Sequence, residues 1–170
     1  MSDSEGSYTR TFQTAILEFT VYSFIGWSYE TVLTSAVQGS FADRGLLRLP
    51  VCPIYGFSAL LVLMLLKGIK NPAAIFFVGG AALTLTELAA SYLLEAVGLS
   101  LWDYNGWAFN FQGRIALVSS LIFAALCLLL VKLLHPLLGR LFARLSFGTL
   151  TAVSALLLAA MLLDLITVLI

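Results

Sequence analysis

Apolar residues run along this chain in long blocks, and a few compact polar stretches cut the blocks apart. Alternation with a period of two would argue half-buried strands; runs approaching twenty apolar residues argue helices that cross a bilayer. The first block, Ala15 to Val37, is about 22 residues long, enough to span ~30 Å of hydrocarbon at 1.5 Å per residue. The second, Ile54 to Leu66, is about 13 residues long and needs the preceding residues 46–53 or a thinned bilayer to cross. The third runs from Ala73 to Val97. The fourth, Ile115 to Leu134, is interrupted only by Ser119, Ser120 and Lys132, and His135-Pro136 is expected to end it. The fifth runs from Thr149 to Ile170. Between the last two, Leu137 to Phe147 puts Arg140 and Arg144 on one helical face, which predicts a short helix lying in the interface with its basic heads near phosphates.

The pattern therefore predicts an all-α, polytopic membrane helix bundle of about five transmembrane helices with a short interfacial helix. Residues 1–14 read as a polar, frayed N-terminal tail and residues 15–170 as one domain, since no internal repeat or long linker divides them.

Composition agrees with the pattern. Hydrophobic residues make up 61% and charged residues 11% of 170 positions, more apolar surface than an ordinary soluble domain of this length can cover. Nine basic and nine acidic residues cancel, and no Lys/Arg-rich run occurs, so no nucleic acid is expected as a partner. Cys52 and Cys127 lie in or beside apolar blocks and form neither a disulfide framework nor a zinc site. His135 is the single histidine. No metal and no cofactor are expected. The N-terminus M-S-D-S-E-G-S-Y is acidic where a signal peptide is basic. With five spans, one face receives Arg10, Lys67, Lys70, Lys132, Arg140 and Arg144, and the other Arg44, Arg48 and Arg114. That bias predicts a multi-pass protein of the cell membrane with its N-terminus in the cytoplasm.

The chemistry concentrates where polar residues stand in the wrong solvent. A carboxylate near the centre of a membrane helix costs roughly 2.5–3.5 kcal/mol on insertion scales, so Glu30, Glu87, Glu95 and Asp164 each need a reason. Thr84, Glu87, Ser91 and Glu95 fall on one face of the third helix, which has to look into the bundle. Two loops add polar groups. A-D-R-G-L-L-R-L-P-V-C-P-I-Y-G-F, residues 42–57, carries Asp43, Arg44 and Tyr55, with Pro50 and Pro53 forcing an irregular entry to the second helix. L-W-D-Y-N-G-W-A-F-N-F-Q-G-R, residues 101–114, carries Asp103, Asn110 and Arg114. One reading is interhelical glue, with Arg44 or Arg114 paired to Glu87 or Glu95; the other is an outward-facing polar cavity. Membrane polar contacts average only ~0.6 kcal/mol, which glue alone would set against several costly insertions, so the cavity is the favoured reading. Trp27, Trp102, Tyr104 and Trp107 line its mouth or form an aromatic belt.

No G-x-x-x-x-G-K-[ST], G-x-S-x-G or H-E-x-x-H is present. Cys52 has no histidine near it in sequence to activate it as a nucleophile. Four ordered blocks, Y-S-F-I-G-W-S-Y-E (22–30), D-R-G-L-L-R-L-P-V-C-P-I-Y-G-F (43–57), E-L-A-A-S-Y-L-L-E (87–95) and W-D-Y…F-N-F-Q-G-R-I (102–115), resemble the CmpB-type putative ABC-transporter permease family of small bacterial membrane proteins. Asp43 stands where that family usually has Asn, Leu49 where it has Gly, and Ala116 where it tends to have Cys. The resemblance implies a multi-spanning transporter component.

The expected function is thus a transporter or permease-type component in the lipid bilayer, whose cavity takes a small polar or ionic solute. The candidate solute- or ion-binding residues are Glu30, Arg44, Tyr55, Glu87, Glu95, Asp103, Asn110, Arg114 and Asp164. An ABC-type role calls for a separate ATPase subunit; a homo-oligomer is the other assembly considered. The rival readings are an intramembrane enzyme acting on a lipid or lipid-linked substrate, with carboxylates as acid and base, and a structural or regulatory membrane subunit.

Overall fold

Each apolar block becomes a helix because backbone in hydrocarbon has to satisfy its own N–H and C=O groups. In the computed structural model, which describes residues 3–170, the order is α1 (Asp3–Gln38), α2 (Pro53–Leu65), α3 (Pro72–Ala96), β1 (Asn110–Phe111), β2 (Ile115–Ala116), α4 (Leu117–Leu129), a π-helical turn (Leu130–Leu134), α5 (His135–Ala143) and α6 (Phe147–Leu169). The all-α class is as the pattern predicts. The exception is a two-stranded antiparallel hairpin pairing Asn110 with Ala116 and Phe111 with Ile115. Local chemistry sets the helix starts. Pro72 occupies the first turn of α3, and the Asn71 side chain accepts the Ala73 and Ala74 N–H groups at 2.9 and 3.4 Å. Ser146 caps α6 by accepting the Thr149 N–H at 3.1 Å.

Three helices are long and apolar enough to cross a membrane: Pro72–Ala96, Leu117–Ala143 and Phe147–Val168. The 13-residue α2 is apolar but short. The 36-residue α1 is long but more polar. Two expectations are corrected. Of the tail expected at residues 1–14, residues 1–2 lie outside the described residues and residues 3–14 form the first turns of α1, tied down by Gln13 Nε2 donating to Thr151 Oγ1 of α6 at 2.7 Å and by Arg10 donating to the Leu145 carbonyl at 3.2 Å. The fourth helix does not stop at His135-Pro136; it runs on into α5, so the basic segment bearing Arg140 is the end of a long helix. The π turn makes this possible. His135 N–H reaches back five residues to the Leu130 carbonyl, and the widened turn relieves the clash between the Pro136 ring and the preceding turn.

The chain forms two compact units, residues 1–60 with 137–170, and residues 61–136. In the first, α1 packs along α6, and Gly26 of α1 lets α2 approach so closely that a Cβ there would lie 2.2 Å from the Tyr55 ring. In the second, α3 packs along α4 around Val62, Leu66, Ile75 and Cys127. Gly80 of α3 sits against Ala124 of α4, where a Cβ would meet the Ala124 Cβ at 2.6 Å. Small residues at such seams allow the close van der Waals contact that holds membrane helices together.

Candidate functional site

In the first unit the loop of residues 39–52 is laced to the end of α1. Its partners occupy one face of that helix: Trp27 Nε1–H donates to Asp43 Oδ1 at 2.8 Å, Arg44 N–H donates to Thr31 Oγ1 at 3.3 Å, and Ala42 N–H donates to Ser35 Oγ at 2.9 Å. Glu30, on the same face, accepts from Tyr55 Oη at 2.6 Å and from Arg44 Nε at 3.4 Å. Glu30 and Arg44 are each about a third exposed, so their pairing is partly screened by solvent. Asp164, in the last turns of α6, accepts the Leu49 N–H at 2.8 Å and so holds down irregular backbone just ahead of Pro50. Cys52 is buried, with Sγ 3.7 Å from the Arg44 carbonyl. Burial pushes its thiol up to about 11, with Glu30 and Asp43 adding to the rise and Arg44 opposing it. A neutral thiol so placed is a poor nucleophile.

In the second unit the polar stripe of α3 meets the loop between α3 and α4. Glu87 is buried and accepts from Tyr104 Oη at 2.8 Å. One turn on, Ser91 accepts from Arg114 Nη1 at 3.5 Å; one turn further, Glu95 pairs with Arg114 Nη2. The Arg114 guanidinium also lies over the Tyr92 ring, 4.0 Å from its centroid. Tyr92 in turn donates to Gln112 Oε1 at 2.7 Å, and Trp102 Nε1–H donates to the Arg114 carbonyl at 2.9 Å. Arg114 Nε is buried and has no hydrogen-bond partner among the described residues. Beside the guanidinium lies a pocket of about 220 Å³ lined by Ser91, Glu95, Trp102, Asp103, Asn105 and Arg114. Asp103 turns one oxygen to the Asn105 N–H at 2.8 Å. No metal-ligand cluster occurs among the described residues.

A family profile matches residues 17–169. The chain belongs to the putative ABC-transporter type IV family. No curated protein and no solved structure matches it. The match extends past the ordered blocks in the sequence to take in α6, and together with the apolar helices it makes this a membrane protein of transporter type.

The structure sorts the candidate residues into three groups. Glu95, Asp103 and Arg114 meet at the pocket, and Glu87 is held beneath the same loop by Tyr104. Glu30, Arg44 and Tyr55 form a trio in the first unit, with Asp164 bonded to the loop that carries Arg44. Asn110 supports the turn: its Nδ2 donates to the Trp107 carbonyl at 2.9 Å, and its Oδ1 accepts the Gly113 N–H at 2.9 Å. Sequence reasoning missed Tyr92 and Gln112. The available signal was an aromatic residue three positions before Glu95, at the spacing that puts it beside any cation bound there.

Proposed function

We propose that this chain is a five-span, multi-pass component of a cell-membrane transporter, with its N-terminus in the cytoplasm. In this reading the pocket between α3 and the α3–α4 loop faces outward and binds a small polar or ionic solute. The observation that carries it is the Arg114–Glu95 pair at the pocket wall. Arg114 is held on three sides, by Ser91, Tyr92 and Glu95, whereas the Glu95 side chain is 63% exposed. An ion pair with one partner that exposed contributes roughly 0–1 kcal/mol, so an incoming group can replace it cheaply. A solute carboxylate or phosphate takes the place of Glu95 on a preorganised guanidinium; a solute ammonium takes the place of Arg114 on Glu95 or sits against Asp103. Trp102 supplies a flat apolar wall. The Glu30–Arg44–Tyr55 trio keeps the first loop in register with α1. The family description supports transport, and the absence of a phosphate-binding loop makes a separate ATPase subunit the source of energy.

The test is a complementation assay in a strain lacking this chain, read together with membrane abundance. Arg114→Gln and Glu95→Gln reach the membrane at wild-type levels and fail to complement. Wild-type activity from Arg114→Gln would overturn the proposal.

A further inference from the structure

The loop between α3 and α4 does not stand up from the helix ends; its hydrogen bonds pull it back along them. Tyr104 reaches Glu87, which lies about 13 Å along the axis from the end of α3 at Ala96, at 1.5 Å per residue. Gln112 is bonded to Tyr92, about 6 Å from the same end. The Phe109 carbonyl accepts the N–H of Leu117, the first residue of α4, at 3.2 Å. Both α3 and the continuous helix Leu117–Ala143 that α4 begins are long and apolar enough to span a membrane, so these bonds fix the loop at the level of the outermost turns of two candidate spans.

Irregular backbone at that depth has to satisfy its own polar groups, and this loop is bonded to itself at several points. Tyr104 N–H bonds the Gly113 carbonyl at 2.8 Å, Trp107 N–H the Tyr104 carbonyl at 2.8 Å, and Arg114 N–H the Phe111 carbonyl at 2.9 Å, while Asn110 clasps both sides of the turn. The frame is tight enough to hold two non-glycine residues, Phe109 and Gln112, in left-handed backbone at φ 53°. Such a conformation costs roughly 1–2 kcal/mol per residue. What the frame displays is Phe109 at 84% exposure, Phe111 at 51% and Trp107 at 42%. No charged residue occurs between Asp103 and Arg114. Backbone strain spent on presenting three uncharged aromatics to water has no physical reason; in lipid the same display buries them.

We infer that the aromatic edge of residues 107–111, which leads into the hairpin, is a membrane-embedded wedge, seated at the headgroup and upper acyl level of the leaflet on the side of the α3–α4 loop. Its partner is the lipid that surrounds the two spans. The polar groups of the loop then face the pocket at Asp103 and Arg114, while the aromatic edge faces hydrocarbon. This inference concerns the aromatic edge alone and stands whether or not the pocket binds a solute.

The experiment uses the full chain with Phe111→Cys carrying a bimane label, reconstituted in phosphatidylcholine vesicles, with a Lys67→Cys label as the water-exposed reference. Cys52 and Cys127 are buried and stay unlabelled under native conditions. At position 111 the emission is blue-shifted, phosphatidylcholine brominated on the upper acyl carbons quenches it at least twofold more than at position 67, and aqueous iodide quenches it several-fold less. Iodide quenching equal to the reference, with no effect of bromolipid, overturns the wedge and leaves a water-facing surface for a soluble protein. If the label prevents folding, the fluorescence of Trp107 in a Trp27→Phe, Trp102→Phe background gives the same two readings with the same deciding outcomes.

Discussion

Glu87 shows what a carboxylate inside a spanning helix needs. The Tyr104 hydroxyl gives it a hydrogen bond at 2.8 Å, and the residue is 7% exposed. Two substitutions separate its charge from its hydrogen bonding. Glu87→Gln keeps an acceptor for Tyr104 and removes an insertion cost of roughly 2.5–3.5 kcal/mol, so its thermal midpoint stays at or above wild type. In the proposed mechanism it nonetheless loses activity in the complementation assay, because the charge is gone; wild-type activity would reduce Glu87 to helix glue. Tyr104→Phe keeps the charge and withdraws the donor, and lowers stability by about 1–3 kcal/mol in a chemical-denaturation series. The stripe holding Glu87 was legible from spacing alone, because helical periodicity fixes which side chains share a face. Its partner was not, since Tyr104 lies in irregular chain beyond the end of α3 at Ala96 and no period connects the two. Cys52 carries a pH prediction. Its thiol is raised from the ordinary value of 9.0 to about 11, so it stays neutral at pH 7 and a maleimide leaves it unmodified until the protein is denatured. The folded-state value lies above the unfolded one. The stability this contributes is therefore full below pH 9 and is lost as the pH rises through 11. Rapid native labelling at pH 7 would refute the buried placement.

At the scale of elements, the helices followed from the apolar blocks to within a few residues for α2, α3 and α6, because in hydrocarbon a continuous apolar run has few alternatives to a helix. The departures lie where local signals compete. Pro136 reads as a stop, yet five residues of π-helix carry the chain past it. The hairpin has two-residue strands, too short for alternation to register. Close helix seams are also invisible in a single sequence, because an interior glycine reads only as a weak spot. The structure separates glycines that matter from those that do not. A Cβ on Gly80 would meet the Ala124 Cβ at 2.6 Å, and one on Gly139 meets nothing within 4 Å. Gly80→Ala therefore forces α3 away from α4 and lowers stability by about 1–3 kcal/mol. Gly139→Ala raises helix propensity by up to about 1 kcal/mol at no steric cost and leaves the thermal midpoint unchanged or higher. Equal effects of the two on thermal unfolding would mean that the α3–α4 seam is looser than described.

For the molecule as a whole, the bilayer decides more than any single contact, and orientation is the property on which the functional reading depends. A solute pocket at the α3–α4 loop captures material from outside only if that loop is outside. The cations argue that it is: Arg10, Lys67, Lys70, Lys132, Arg140 and Arg144 fall on one side of a five-span path, against Arg44, Arg48 and Arg114 on the other. Two of the three minority cations sit in ion pairs, and the third, Arg48, donates to the Thr167 carbonyl at 3.4 Å. Arg44 pairs with Glu30 and Arg114 with Glu95, whereas Lys67, Arg140 and Arg144 are exposed. Paired cations present less net charge to the membrane potential and to anionic lipid than free ones. The N-terminus is therefore expected in the cytoplasm. Two single-cysteine reporters test this in intact cells with a membrane-impermeant maleimide. Ser100→Cys, exposed in the α3–α4 loop, labels from outside; Lys67→Cys, exposed in the turn after α2, labels only after the membrane is permeabilised. The reverse pattern would put the pocket in the cytoplasm and end its role as an outward-facing site. Labelling of both from the same side would mean that α3 does not cross, although its 25 residues are long and apolar enough to do so.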